Sequence, residues 1–299
     1  MIVHDYLISS IGRGGTVMRI GIRAHDMERA PFEELVQNIN KKGFHSAQLA
    51  LQKAIHEFNV NIEAMTPGMA FYIKEVFAEY KVDIAVLGCY LNLTNPIDQE
   101  RKHIMETYKT HIRFASLLGC GMVGTETGSL NPDYSFKKAN HSEAALELFI
   151  ETIKRIVDYA EKMGVIIGVE PVFKHIISDL ERTYRVLNAV NSPNLQIIFD
   201  PVNLLNYDNY MEQDDIIKGA FQLFGKDIAV IHSKDFRIEN KEIVEVTTGT
   251  GSFHHELLLG LVKQQKPFMH VLLEGTKPDE AITARKYLEE IYQNISTEE

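Results

Sequence analysis

The chain of 299 residues has no tryptophan and only two cysteines, Cys89 and Cys120. They form no CxxC pair, which argues against a cysteine-held zinc site, and so few thiols rule out a disulfide framework. This cysteine usage fits a reducing compartment, so a cytoplasmic protein is expected. Also missing is any run of five or six basic residues. With 31 Lys and Arg against 41 Asp and Glu, the formal charge is −10. Such a field repels polyanions, and nucleic acid is not an expected partner. The opening stretch "MIVHDYLISSIGRGGTV" lacks a basic n-region and an apolar run of signal-peptide length. Neither secretion nor a membrane span is expected. Residues 1–17 are read as a poorly ordered N-terminal extension ahead of one domain spanning 18–299. No Pro/Ser linker, composition break or glycine-rich nucleotide-binding turn divides that domain.

What is present is alternation. Hydrophobic residues make up 45% of the chain, enough for a large core. Short apolar runs alternate with longer segments of helical period. "MRIGI" (18–22) precedes a helix opened by Pro31, "FHSAQLAL" (44–51) one opened by Thr66-Pro67, and "VDIAVLGCY" (82–90) one from about Asp98. "MVGTETG" (122–128) leads to a helix over 142–163, for which Gly164 is a natural stop. "VIIGVE" (165–170), "LQIIFD" (195–200), "IAVIH" (228–232) and "FMHVLLE" (268–274) continue the pattern. Runs rich in Ile, Val and Leu fit strands covered on both faces, as in a parallel sheet. Eight βα units without a break predict a closed (β/α)8 TIM barrel in a single domain.

The last four strand candidates each end in a residue able to hold a metal: Glu170, Asp200, His232 and Glu274, spaced by 30, 32 and 42 residues. One βα unit separates each from the next, and residues at the carboxyl ends of neighbouring barrel strands face one mouth. Three carboxylates gathered there without a cation repel one another in a low-dielectric site. One divalent ion resolves the conflict. Three oxygens and an imidazole suit Mn²⁺ best, with Mg²⁺, Co²⁺ and Zn²⁺ also compatible.

The motifs "GVEP", "FDPVNLL", "IHSKDF", "GTGS" and "LLEG", with "GCYLNLTNP" and "TETG" upstream, resemble the sugar isomerase/epimerase family of xylose isomerase-like TIM barrels over roughly 18–294. By that resemblance, Glu170, Asp200, His232 and Glu274 are the metal ligands. As in ketose 3-epimerases, Glu170 and Glu274 lie on opposite faces of the sugar, one deprotonating and the other reprotonating. The resemblance implies a sugar or polyol substrate reacting through a metal-stabilised enediolate, and a homodimer or homotetramer. Return of the proton to the neighbouring carbon makes the same site an aldose–ketose isomerase. A lyase of the inosose dehydratase kind and a non-catalytic sugar-binding barrel remain open. An apurinic-site endonuclease is disfavoured, because its extra histidines are missing from "QLAL", "GCYL" and Asn203.

Four further residues are candidates for binding substrate. Asn203 stands where the 3-epimerases usually carry histidine; an amide binds a hydroxyl but carries no proton. Lys234, in an HxKD order that recurs in the family, either neutralises developing charge or forms a salt bridge with Asp235 or another carboxylate. Glu126 ends strand four and is placed to accept from a sugar hydroxyl. His175 lines the opening or sits in a solvated loop. The pair His254-His255 is read as helix surface, with Ser252 as the helix N-cap.

Overall fold

A computed structural model describes residues 18–296; the extension expected at 1–17 lies outside the described residues. The apolar runs become β1 (Arg19–Arg23), β2 (Ser46–Leu49), β3 (Asp83–Gly88), β4 (Met122–Glu126), β5 (Ile166–Glu170), β6 (Leu195–Phe199) and β7 (Ile228–Ser233). After an inserted hairpin of β8 (Asp235–Glu239) and β9 (Glu242–Val246), β10 (His270–Leu273) completes the set. Apart from the hairpin, these strands close a parallel barrel in the order β1-β10-β7-β6-β5-β4-β3-β2, with β1 also paired to β2.

The strands carry two apolar faces, and each face has its own core. Inside the barrel, Val86, Met122, Ile198, Val230 and Leu272 pack together as a plug. Gly124 makes room for it, because a Cβ there would lie 2.6 Å from Val86 Cγ1. The outer face meets α1 (Phe32–Lys41), the single turn α2 (Leu51–Ala54), α3 (Pro67–Glu79), α4 (Asp98–Leu118) and α5 (Glu143–Met163). The ring continues with α6 (Leu180–Val190), α7 (Gln213–Phe224), α8 (His255–Gln265) and α9 (Ala281–Asn294). Thr66 accepts an N-cap hydrogen bond and Gly164 ends α5 in the left-handed conformation, as read; Ser142 also caps α5, and Gly119 ends α4 in the same conformation.

The segment after β7 departs from expectation. The sequence suggested only a glycine loop; the chain forms the antiparallel β8–β9 hairpin. Its turn places Asn240 and Lys241 at φ 51° and 65°. Both values suit a tight hairpin turn, but lysine instead of glycine at the second position hides the usual signal. The glycines of "GTGS" serve Asp235. Its Oδ1 accepts from the N–H groups of Phe236 and Phe253, both at 2.8 Å, and its Oδ2 from Gly249 (3.1 Å) and Gly251 (2.9 Å). A Cβ on Gly251 would fall 2.3 Å from Asp235 Oδ1. Ser252 is not the N-cap of α8: that position is His254, and the Ser252 N–H donates to the Phe236 carbonyl. Nor is His255 surface. It is buried between the Phe253 and Tyr287 rings, and burial lowers its pKa to about 4, favouring the neutral imidazole.

Asp235→Ala removes the acceptor of four backbone N–H groups, two of them from fully buried neighbours. Unfolding in urea is expected to show a loss of about 2–4 kcal/mol. A change within about 0.5 kcal/mol, the range of ordinary surface substitutions, would mean the loop is held by other contacts.

Candidate metal centre

All eight barrel strands run the same way, so their carboxyl ends form one rim. Glu170 is the last residue of β5, and His232 is the penultimate residue of β7. Asp200 and Glu274 directly follow β6 and β10. One ligand atom from each lies within 4.8 Å of all the others. Glu170, Asp200, His232 and Glu274 are 2%, 1%, 0% and 8% exposed. The arrangement is thus an interior cluster rather than a patch of surface acids.

Its hydrogen bonding is incomplete in a telling place. Asp200 Oδ1 accepts from the N–H groups of Val202 (2.9 Å) and Asn203 (3.3 Å). The turn opened by Asp200-Pro201 is what holds that carboxylate at the rim. Asp200 Oδ2, by contrast, is buried and accepts no hydrogen bond. His232 Nδ1 faces Glu170 Oε1 at 3.0 Å and Glu274 Oε2 at 2.8 Å. An orphan carboxylate oxygen, two further carboxylates and an imidazole nitrogen directed at one point form a donor set that fits a divalent cation. The cluster can bind a metal.

Two cations partly balance the acids. Lys234 Nζ is 3.2 Å from Glu274 Oε1, 3.4 Å from Asp200 Oδ2 and 3.2 Å from Glu245 Oε1 of the hairpin. Of the alternatives read for Lys234, the structure places it with neighbouring carboxylates and not with Asp235. Arg23, at the end of β1, reaches Glu274 Oε1 at 3.0 Å while its other edge clasps Asp26.

The titration of these groups follows from burial and company. Burial opposes the charged form of His232, but Glu170 and Glu274 outweigh it and raise the imidazole pKa to about 10. Burial raises Asp200 to about 7 against the pull of Lys234. For Glu274 burial is overcome by Lys234, His232 and Arg23, which hold its carboxyl well below the usual range.

The remaining candidates divide. Asn203 Nδ2 donates to Glu170 Oε1 at 2.7 Å, so its amide steadies a member of the cluster. Glu126 stands in register with Glu170 on the neighbouring strand. Burial, with Glu170 and Glu274 nearby, raises its pKa to about 7. His175 is buried rather than solvated: its ring packs edge-on against Tyr134, and its Nδ1 lies 3.3 Å from Glu126 Oε2 without hydrogen-bond geometry. Beside the cluster a cavity of about 310 Å³ is walled by Lys174, Asn203, Tyr207, Lys241 and Glu245. Sequence reasoning missed Arg23, Gln48 and Glu245. Arg23 obeys the rule that found the ligands, a polar residue at the tip of a barrel strand; Glu245 was hidden with its hairpin.

Fold and cluster together define a class: a (β/α)8 barrel with a group of side chains at the carboxyl rim that could hold a metal ion. The sequence pattern of the xylose isomerase-like TIM barrel matches residues 36–291, and the chain belongs to that family. Among solved structures it is similar to the IolI protein with a bound zinc atom, at TM-score 0.73 and 18% identity over 94% of this chain and 100% of that one. A D-tagatose 3-epimerase-like protein gives 0.70 and 18% over 92% and 97% of the two chains. The probable 3-DHS dehydratase AsbF of Bacillus anthracis gives 0.70 and 16% over 94% and 100%. At these identities the likeness is one of fold. No curated protein matches by sequence. Among the described residues no helix is long and apolar enough to cross a membrane.

Proposed function

We propose that the protein is a divalent-metal-dependent epimerase or isomerase of a sugar or polyol ketone, with neither nucleic acid nor membrane as a partner. The observation that carries this reading is the four-residue cluster with its buried Asp200 Oδ2, which accepts no hydrogen bond and has Lys234 Nζ at 3.4 Å. Glu170, Asp200, His232 and Glu274 would hold the ion, with Mn²⁺ the best match to this donor set and Mg²⁺, Co²⁺ or Zn²⁺ able to replace it. When bound, the ion polarises the ketone and makes the adjacent C–H acidic.

The chain supplies the proton traffic. Glu274, kept ionised by Lys234 and Arg23, takes the proton from carbon on one face, and Glu170, protonated beforehand, gives its proton from the opposite face, so that the two carboxyls exchange protonation in the reaction. Asn203 fixes Glu170 for that exchange. Lys234 offsets the negative charge that develops on the substrate. Glu126 and His175 bind hydroxyls further along the chain or ring. The place of Glu126, in register with Glu170 on the neighbouring strand, favours a second reading, a dehydratase in which this buried carboxyl, its pKa pushed up to about 7, gives a proton to a departing hydroxyl.

Metal analysis followed by incubation with a ketose panel in deuterated water tests the proposal. The expected result is one ion per chain and deuterium uptake at carbon, lost on chelation. A stoichiometric ion without exchange on any sugar or polyol ketone refutes the enzyme reading.

Ion binding should also depend on pH with a definite sign. Before the ion arrives, His232 holds a proton up to about pH 10 and Asp200 up to about pH 7. Each must lose it to become a ligand. Affinity is therefore expected to rise roughly tenfold per unit above pH 7, and more steeply below it. Calorimetry in buffers of different ionisation enthalpy reads the number of protons released. A pH-independent affinity contradicts the assignment of His232.

A further inference from the structure

We infer that Gln48 is the positioning residue of the metal centre: its side-chain amide fixes His232 with Nδ1 toward the cation and turns the Tyr90 hydroxyl into a donor for a ligand oxygen. The inference rests on the metal-binding reading above, but concerns Gln48 of β2 and Tyr90, two residues beyond β3; neither strand supplies a ligand. Gln48 is the penultimate residue of β2 and is 1% exposed. His232 Nε2 lies 2.8 Å from Gln48 Oε1, and Gln48 Nε2 lies 2.8 Å from the Tyr90 hydroxyl oxygen.

The directions of these bonds follow from one requirement. Nδ1 is the nitrogen that faces Glu170 and Glu274, so it must offer its lone pair to a cation. The ring proton of a neutral imidazole then resides on Nε2. Nε2–H needs an acceptor in a buried site, and only the carbonyl end of Gln48 provides one. With the amide set that way, its NH₂ faces Tyr90, whose oxygen accepts. A reversed amide would set two donors against each other at His232. The Tyr90 O–H must then donate elsewhere, and it has no acceptor among the described residues. That leaves it for a ligand oxygen.

Two properties of the chain matter. Nε2 carries a proton in both the neutral and the protonated imidazole, so the bonds keep their direction when an ion replaces the proton on Nδ1. The site is ordered in advance. A carboxylate commonly fills the role of partner to a metal-bound histidine. Here it would add a fourth negative charge to Glu170, Asp200 and Glu274, whereas glutamine supplies the same acceptor without one.

Cobalt titration of the whole chain, followed by calorimetry and by the visible absorption of the bound ion, tests the inference. Gln48→Met keeps the volume and removes the acceptor; it is expected to weaken Co²⁺ binding about 10–100-fold. Gln48→Glu restores an acceptor and is expected to stay within roughly fivefold of the unmodified chain, a difference smaller than losing an outer partner. Equal Co²⁺ affinity of Gln48→Met and the unmodified chain overturns the inference while leaving the metal reading intact. Absence of Co²⁺ binding by the unmodified chain overturns both. Should Gln48→Met fail to fold, ¹⁵N spectra of the unmodified, histidine-labelled, Zn²⁺-loaded chain decide: protonated Nε2 on His232 supports the inference, and a metal-bound Nε2 overturns it.

Discussion

Glu274→Gln is expected to abolish deuterium exchange at the substrate carbon, by about 10²–10⁴-fold, without unfolding the chain. The substitution is nearly isosteric and removes the carboxylate that Lys234 and Arg23 keep ionised. Lys234 retains Asp200 and Glu245, and Arg23 retains Asp26, so neither cation is left alone. Thermal melting should therefore change little while exchange, measured by NMR at saturating Mn²⁺, disappears. Undiminished exchange would exclude Glu274 as the group that moves the proton.

Lys234→Met addresses the opposite charge. The ammonium is 2% exposed, and burial opposes its charge; Asp200, Glu274 and Glu245 overcome this and raise its pKa well above that of free lysine. A raised pKa means the stabilisation is fully present at neutral pH and fades only in strong alkali. Removing one side of such a buried group leaves Asp200 without its cation, while Glu274 keeps Arg23 and His232, a loss of about 3–5 kcal/mol. The exposed Glu245 contributes little to this sum. For a domain of this size each kcal/mol shifts the midpoint by roughly 2–4 °C, so the metal-free variant should melt roughly 6–20 °C lower. Mn²⁺ supplies the missing positive charge and should recover more stability in the variant than in the unmodified chain. An unchanged midpoint in the metal-free protein would show that the carboxylates are balanced by other means.

How much of this was legible beforehand depended on the chain direction of the strands. Glu170, Asp200, His232 and Glu274 could be found because parallel strands deliver their last residues to one rim, so distance in sequence becomes proximity in space. The barrel itself followed from eight apolar runs alternating with helix-period stretches, the first three of which carry a start signal such as Thr66-Pro67. Partnerships across the barrel were not legible. Nothing near Gln48 announces His232, which lies 184 residues away, and the two meet only because the closed ring brings the carboxyl ends of β2 and β7 to one mouth. The hairpin stayed hidden because Lys241 adopts a conformation usually left to glycine. The solvated-loop alternative for His175 failed because a loop position does not reveal that Tyr134 covers it.

The anchoring of Asp235 has a consequence for how such a protein can diversify. Asp235 adjoins Lys234, and its carboxylate grips the chain again at Gly249, Gly251 and Phe253. Between those clamps the hairpin projects, and its Lys241, Glu242, Ile243 and Glu245 wall the cavity beside the ion cluster. The tip is therefore a cassette with both ends fastened outside it. Exchange of the exposed tip residues 239–242 is expected to change the cavity wall while Lys234 and the cluster beneath it keep their places.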